Sequence, residues 1–122
     1  DNFSSSLHRS ATLADIGLLA GRVDGVNLKI MKTGGLREMQ RMIHAARAHG
    51  MKVMLGSMVE SSLALSAAAQ LAPLVDYLDL DGHWLLKDDP FSGAPGERGD
   101  ITLSARPGLG VLPAASREVA SR

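Results

Sequence analysis

Apolar and polar residues fall in blocks along the chain, and the period inside each block predicts an element. Residues 12–20 predict a short helix, with Thr12 at its N-cap and Gly21 just past its end. Residues 25–31 predict a strand that leaves through the turn Thr33-Gly34-Gly35. Over residues 36–49, Leu36, Met39, Ile43 and Ala46 recur at helical spacing while Arg37, Arg41 and Arg47 take other faces, and Gly50 stops the helix. A second strand is expected at 52–55, followed by the loop Gly56-Ser57-Met58-Val59-Glu60. Ser61 or Ser62 then caps an alanine-rich helix running to about Leu71, which Pro73 closes. Residues 76–80 predict a third strand.

Strands alternating with helices over short connections form parallel βα units. A parallel sheet needs both faces covered or closure into a barrel. A complete (β/α)₈ barrel takes about 250 residues, so three strands and two crossovers are less than half of one. The open sheet edges this leaves are an aggregation hazard for the chain in isolation. Residues 88–111 are rich in Gly and Pro, with 101–103 their one candidate strand and a hairpin turn expected at 96–99. Residues 112–122 are expected to form a flexible tail. The chain does not begin with methionine and is read as a fragment of a longer protein.

Composition narrows the class further. Lys+Arg and Asp+Glu number 13 each, so no net field draws the chain to nucleic acid or an anionic membrane. Hydrophobic residues at 45% and charged ones at 21% fit a soluble globular domain. No apolar run approaches the roughly 20 residues needed to span a bilayer. The absence of cysteine rules out disulfides and thiolate metal sites and fits a reducing compartment, here taken as the cytoplasm.

In a parallel α/β barrel the C-terminal strand ends face the active site. Period-2 alternation puts Asn27, Lys29 and Met31 on one face of the first predicted strand, and Val26, Leu28 and Ile30 on the other. A lysine flanked by apolar residues is either a side chain snorkelling at a strand end or a general base made usable by burial and a neighbouring positive charge. In Leu78-Asp79-Leu80-Asp81-Gly82 both carboxylates are expected on one face. Either they belong to a solvated strand end, or they await a cation: a metal, a lysine or a substrate ammonium. The loop 56–62 enters a helix whose N-terminus favours an anion, or is an ordinary serine-capped connection. The histidines at 8, 44, 49 and 83 have no ligand-like spacing.

These segments resemble one family. Val26-Asn27-Leu28-Lys29-Ile30-Met31-Lys32-Thr33-Gly34-Gly35-Leu36 is similar to the sixth-strand segment of the muconate-lactonizing branch of the enolase superfamily. Gly56-Ser57-Met58-Val59-Glu60-Ser61 resembles that branch's seventh-strand loop. Asp79-Leu80-Asp81-Gly82 resembles the eighth-strand Asp-x-Asp of dipeptide epimerases of the L-Ala-D/L-Glu type. Residues 85–91 and 107–111 resemble the C-terminal stretch of those enzymes.

The resemblance implies an α/β fold, the C-terminal part of a (β/α)₇β TIM-like barrel covering about strands 6–8. The capping domain and the first half of the barrel would be absent. Residues 1–87 would be the barrel part, and 88–111 would pack toward the capping domain. It also implies a Mg²⁺-dependent isomerase that moves a proton at the carbon next to a carboxylate through a metal-stabilised enediolate. Lys29 matches the sixth-strand catalytic lysine, whose partner lysine lies on the second strand. Asp79 and Asp81 match the pair that holds the dipeptide's α-ammonium, and Ser57 and Met58 match substrate contacts. Asp1 matches one of three acidic metal ligands, the one on the fifth strand, although Asp1-Asn2-Phe3 stands where the family has Asp-Glu-Ser. The expected partner is a small dipeptide, the expected parent a homo-oligomer, and the chain alone is expected to be inactive. The alternatives are another enzyme of the branch (an N-acylamino acid racemase, an o-succinylbenzoate synthase or a cycloisomerase) or a non-catalytic half-barrel that assembles with a complementary chain.

Overall fold

The computed structural model describes residues 3–5, 12–95 and 98–114. Four parallel strands form one sheet in the order of the chain: β1 (Phe3–Ser5), β2 (Gly25–Lys29), β3 (Lys52–Gly56) and β4 (Tyr77–Asp79). Helix α1 (Leu13–Leu19) connects β1 to β2, α3 (Leu36–Ala48) connects β2 to β3, and α4 (Ser62–Ala69) connects β3 to β4. Strand β1 is a finding beyond the three predicted strands. A three-residue strand containing two serines shows no hydrophobic period, and its identity comes from parallel pairing with β2, Phe3 beside Gly25 and Ser5 beside Asn27.

The helices cover one face of the sheet. Val26, Leu28, Val53 and Leu55 point into it with no more than 2% of their surface exposed, and meet Ile16, Met39, Met42, Ile43, Ala46, Leu65, Ala68 and Ala69. Full burial of each large aliphatic side chain stabilises by about 1.5–3 kcal/mol. Helix α1 starts as expected at Thr12, whose N–H and hydroxyl both donate to Asp15 Oδ2, at 2.8 and 3.0 Å. Asp76 secures the entry to β4. Its carboxylate accepts the Val53 N–H at 2.9 Å and pairs with Lys52 at 3.4 Å and Arg47 at 3.5 Å. The Val53 N–H is the main cause holding this carboxyl below its ordinary range.

Strand β2 stops two residues before its predicted end. Gly34 adopts φ 80°, a left-handed conformation that closes a helical turn, α2 (Ile30–Thr33), directly on the strand. Met31 therefore leaves the face it was expected to share with Asn27 and Lys29, and is 64% exposed. Strand β4 is likewise shorter than 76–80, because Asp81 takes a helical backbone and begins the 3₁₀ turn Gly82–Leu85. Leu80 is buried while Leu78 is exposed, so the two do not share an environment as strict alternation required.

The C-terminal segment is held to the body of the fold. Strands β5 (Phe91–Ser92) and β6 (Leu112–Pro113) pair antiparallel, so the tail expected from residue 112 starts with two residues in a sheet. Ile101 makes a single antiparallel bridge to Pro95 and no strand of its own, and the turn expected at 96–99 lies partly outside the described residues. Residues 115–122 lie outside them entirely. Ala94 N–H donates to Ser66 Oγ at 2.8 Å, and a Cβ at Gly93 would overlap that oxygen. Helix α4 is thereby buried on both sides, which its alanines and serines permit. No described helix is long and apolar enough to cross a membrane.

Candidate functional site

The C-terminal ends of β2, β3 and β4 bring Lys29, the 57–60 loop and the acidic pair to one end of the sheet. Lys29, Gly56 and Asp79 are register partners in one row across three strands, so they share a face. Adjacent strands lie about 4.8 Å apart, which separates the backbones of Lys29 and Asp79 by roughly 10 Å. Gly56, between them, has no side chain to fill the gap. A Cβ there would come within 2.6 Å of Asn27 Oδ1, so glycine is required for Asn27 to occupy its place.

Ser57 ties the row together. Its carbonyl accepts the Lys29 Nζ–H at 2.9 Å. Its Oγ accepts the Gly82 N–H at 3.0 Å and lies 3.4 Å from the Asp79 carbonyl oxygen and 3.5 Å from Asp81 Oδ1. The Met58 carbonyl presses on Gly82 so closely that a Cβ at Gly82 would overlap it. Of the residues singled out from the sequence, Lys29, Ser57, Met58, Asp79 and Asp81 are therefore brought together. Asp79 and Asp81 are exposed, and both line a recess of about 490 Å³ with Leu78, His83, Trp84 and Asp100. Asp1 lies outside the described residues, and in the sequence it precedes β1 rather than following it.

Glu60 is the residue that the sequence did not single out. It is 3% exposed, its Oε1 accepts the Met58 N–H at 3.1 Å, and its Oε2 has no hydrogen-bond partner among the described residues. Burial raises its carboxyl above the ordinary range, against the opposing pull of the Met58 N–H and the Lys29 charge. Glu60 is thus a carboxyl whose ionisation feels the charge of Lys29. The signal was faint: one acid inside a glycine-serine loop of ordinary length.

The anion expected at the α4 N-terminus is supplied by the chain itself. Asp89 Oδ2 accepts both the N–H and the hydroxyl of Ser62, each at 2.7 Å, and Asp89 Oδ1 accepts the Phe91 N–H at 3.0 Å. Neither Ser61 nor Ser62 caps the helix with its own side chain. For Mg²⁺ the described residues do not fit, since they include no group of three His, Cys, Asp or Glu able to hold a metal ion.

Parallel strands in chain order, joined by helices that cover one face, are the architecture of part of an α/β barrel domain. The chain belongs to the Enolase C-terminal domain-like family, which matches residues 7–117. It is 47% identical over 100 residues to L-Ala-D/L-Glu epimerase of Bacteroides thetaiotaomicron, covering 82% of this chain and 26% of that protein. Among solved structures it resembles the substrate-liganded L-Ala-D/L-Glu epimerase of Bacillus subtilis, with TM-score 0.80 and 31% identity over 93% of this chain and 33% of that one. It also resembles the dipeptide epimerase of Methylococcus capsulatus complexed with Mg and the dipeptide L-Arg-D-Lys, with TM-score 0.76 and 36% identity over 83% of this chain and 30% of that one. The chain thus spans about a quarter of the curated relative it matches. Its parallel strands correspond to part of the family's barrel domain.

Proposed function

We propose that the chain is the part of a dipeptide epimerase that carries one of its two proton-transfer residues and its ammonium site. In this reading β2, β3 and β4 are the sixth, seventh and eighth barrel strands, and residues 88–111 pack toward a capping domain. Lys29 removes a proton from the carbon next to the substrate carboxylate, or returns one, from a single face. Asp79 and Asp81 accept hydrogen bonds from the dipeptide's α-ammonium, and Ser57 and Met58 border the substrate between them.

The observation that carries the reading is the row Lys29, Gly56, Asp79, in which a base and an acid stand on one face of the sheet on either side of a glycine. A dipeptide, whose Cα atoms lie ~3.8 Å apart, is short enough to sit between the two side chains. The similarity to epimerases acting on dipeptides supports the same substrate class. The second base has no counterpart at this site among the described residues, and the metal would take its carboxylates from elsewhere in the whole protein, with Asp1 as the candidate from this chain. The chain alone is accordingly proposed to be inactive, and the whole enzyme to be a homo-oligomer of the cytoplasm.

The test uses the whole protein and L-Ala-L-Glu-type dipeptides in D₂O. Wild type should exchange the α-proton of the C-terminal residue and invert it. Lys29→Ala should abolish inversion while leaving exchange from the opposite face for one substrate epimer. Unchanged inversion in Lys29→Ala would overturn the assignment.

A further inference from the structure

A single peptide unit at the end of β3 lies between two charged side chains. Lys29 Nζ–H donates to the carbonyl oxygen of Ser57 at 2.9 Å, and the N–H of that same peptide, on Met58, donates to Glu60 Oε1 at 3.1 Å. A trans peptide points its oxygen and its hydrogen in opposite directions, so the ammonium and the carboxyl stand on opposite sides of it. Standard peptide dimensions then put Nζ and Oε1 within roughly 8 Å of each other. The peptide dipole has its negative end on Lys29 and its positive end on Glu60, so each charge polarises the hydrogen bond made to the other.

Glu60 has the marks of a group kept for its charge rather than for its bonds. Asp89, the structural cap, uses both of its carboxylate oxygens, on Ser62 and Phe91. Glu60 uses one, and leaves Oε2 buried and unpartnered among the described residues in a side chain 3% exposed. A glutamine amide could accept the same Met58 N–H without the cost of burying a carboxyl.

We infer that Glu60 is a positioning residue for Lys29: through the Ser57–Met58 peptide its carboxylate holds the ammonium in place at the end of β2. The inference rests on the proposed role of Lys29 and adds a second residue to that proton transfer. The carboxyl's raised ionisation range, which the Lys29 charge pulls back down, agrees with direct communication between the two. Asp79, Asp81 and Asp100, which line the recess, are further charged groups at this end of the sheet among the described residues. Asp81 lies on the Gly82 side of Ser57, and the charge of all three is the same in every variant below.

The experiment follows the Glu60 side-chain carbon by ¹³C NMR in whole protein labelled at glutamate Cδ, with Glu60→Gln assigning the signal. In Lys29→Met the Glu60 titration midpoint should rise by about one pH unit, the effect of removing a unit charge roughly 8 Å away across a partly buried site. In Lys29→Arg, which keeps the charge, it should stay near the wild-type value. A midpoint unmoved in Lys29→Met would overturn the inference. Glu60→Gln provides an independent reading if Lys29→Met does not fold. Gln keeps an acceptor for the Met58 N–H, yet kcat should fall with KM unchanged in the direction in which Lys29 removes the proton. An unchanged kcat, or a rise in KM alone, would mean a merely structural role and would overturn it too. A wild-type protein that turns over no dipeptide would defeat the functional reading alone, leaving the NMR titration to judge Glu60.

Discussion

The Asp89 carboxylate grips Ser62 twice, by its backbone N–H and by its hydroxyl, both at 2.7 Å. A residue 27 positions later in the chain thus caps α4. The C-terminal segment thereby fixes the helix that follows the 57–60 loop.

The first prediction concerns that grip. Burial would raise the Asp89 carboxyl, but the bonds from the Ser62 hydroxyl, Ser62 N–H and Phe91 N–H outweigh it, and together with the nearby His83 hold it below its ordinary range. A depressed carboxylate adds stability in full above the unfolded value of about 3.9, lost as pH falls through the folded one. Asp89→Ala should destabilise the whole protein by about 1–2 kcal/mol at pH 7 in urea unfolding. The gap to wild type should shrink below about pH 4; a constant gap would count against the ionised cap.

Glu60 predicts the opposite dependence. Its carboxyl is raised by burial, so its contribution is fully present below the unfolded value of about 4.3 and is lost as pH rises through the folded value. Glu60→Gln should therefore gain stability relative to wild type between about pH 4 and pH 7. Paired urea titrations at the two ends of that range check it, and a relative loss would sink the assignment.

Gly82 has no room for a methyl group against the Met58 carbonyl. Gly82→Ala should push the 57–60 loop away from β4, costing about 1–3 kcal/mol by overpacking. Dipeptide kcat/KM should fall at least ~10-fold in step with it. Unfolding and turnover measured on one preparation check both, and full activity would show that loop position is immaterial.

Asp79→Asn and Asp81→Asn separate substrate classes. Charge-assisted hydrogen bonds are worth about 1.5–3 kcal/mol, so KM for a dipeptide with a free ammonium should rise ~10- to 100-fold. If an N-acylated amino acid is turned over at all, its KM should hardly change. Equal effects on both substrates would favour a racemase of acylated amino acids over a dipeptide epimerase.

Much of the scaffold was legible because its elements have strong periods. Met39, Ile43 and Ala46 stand out as one helical face and Val26 and Leu28 as one face of a strand, and all of these are buried; Leu36 and Ile30, read with them, are only partly so. Four features escaped for physical reasons. Strand β1 depends on pairing with β2 and carries no pattern of its own. The early end of β2 is imposed by the left-handed Gly34, which pulls Ile30–Thr33 into a helical turn against local strand propensity. The Asp89 cap and the buried Glu60 are long-range or loop-internal facts, set by where the backbone turns. At the site, Lys29 and the acidic pair were visible as charges out of place in apolar strands. The link between them through Ser57 was not, because it runs through a carbonyl and a hydroxyl that any serine possesses.

That serine makes the two halves of the site mechanically dependent. Its carbonyl seats Lys29 while its hydroxyl holds the turn at Gly82. A ligand that shifted the acidic turn by a fraction of an ångström would drag the lysine's seat with it. Occupancy at one end of the gap would then be felt as alignment at the other, with a single residue as the lever.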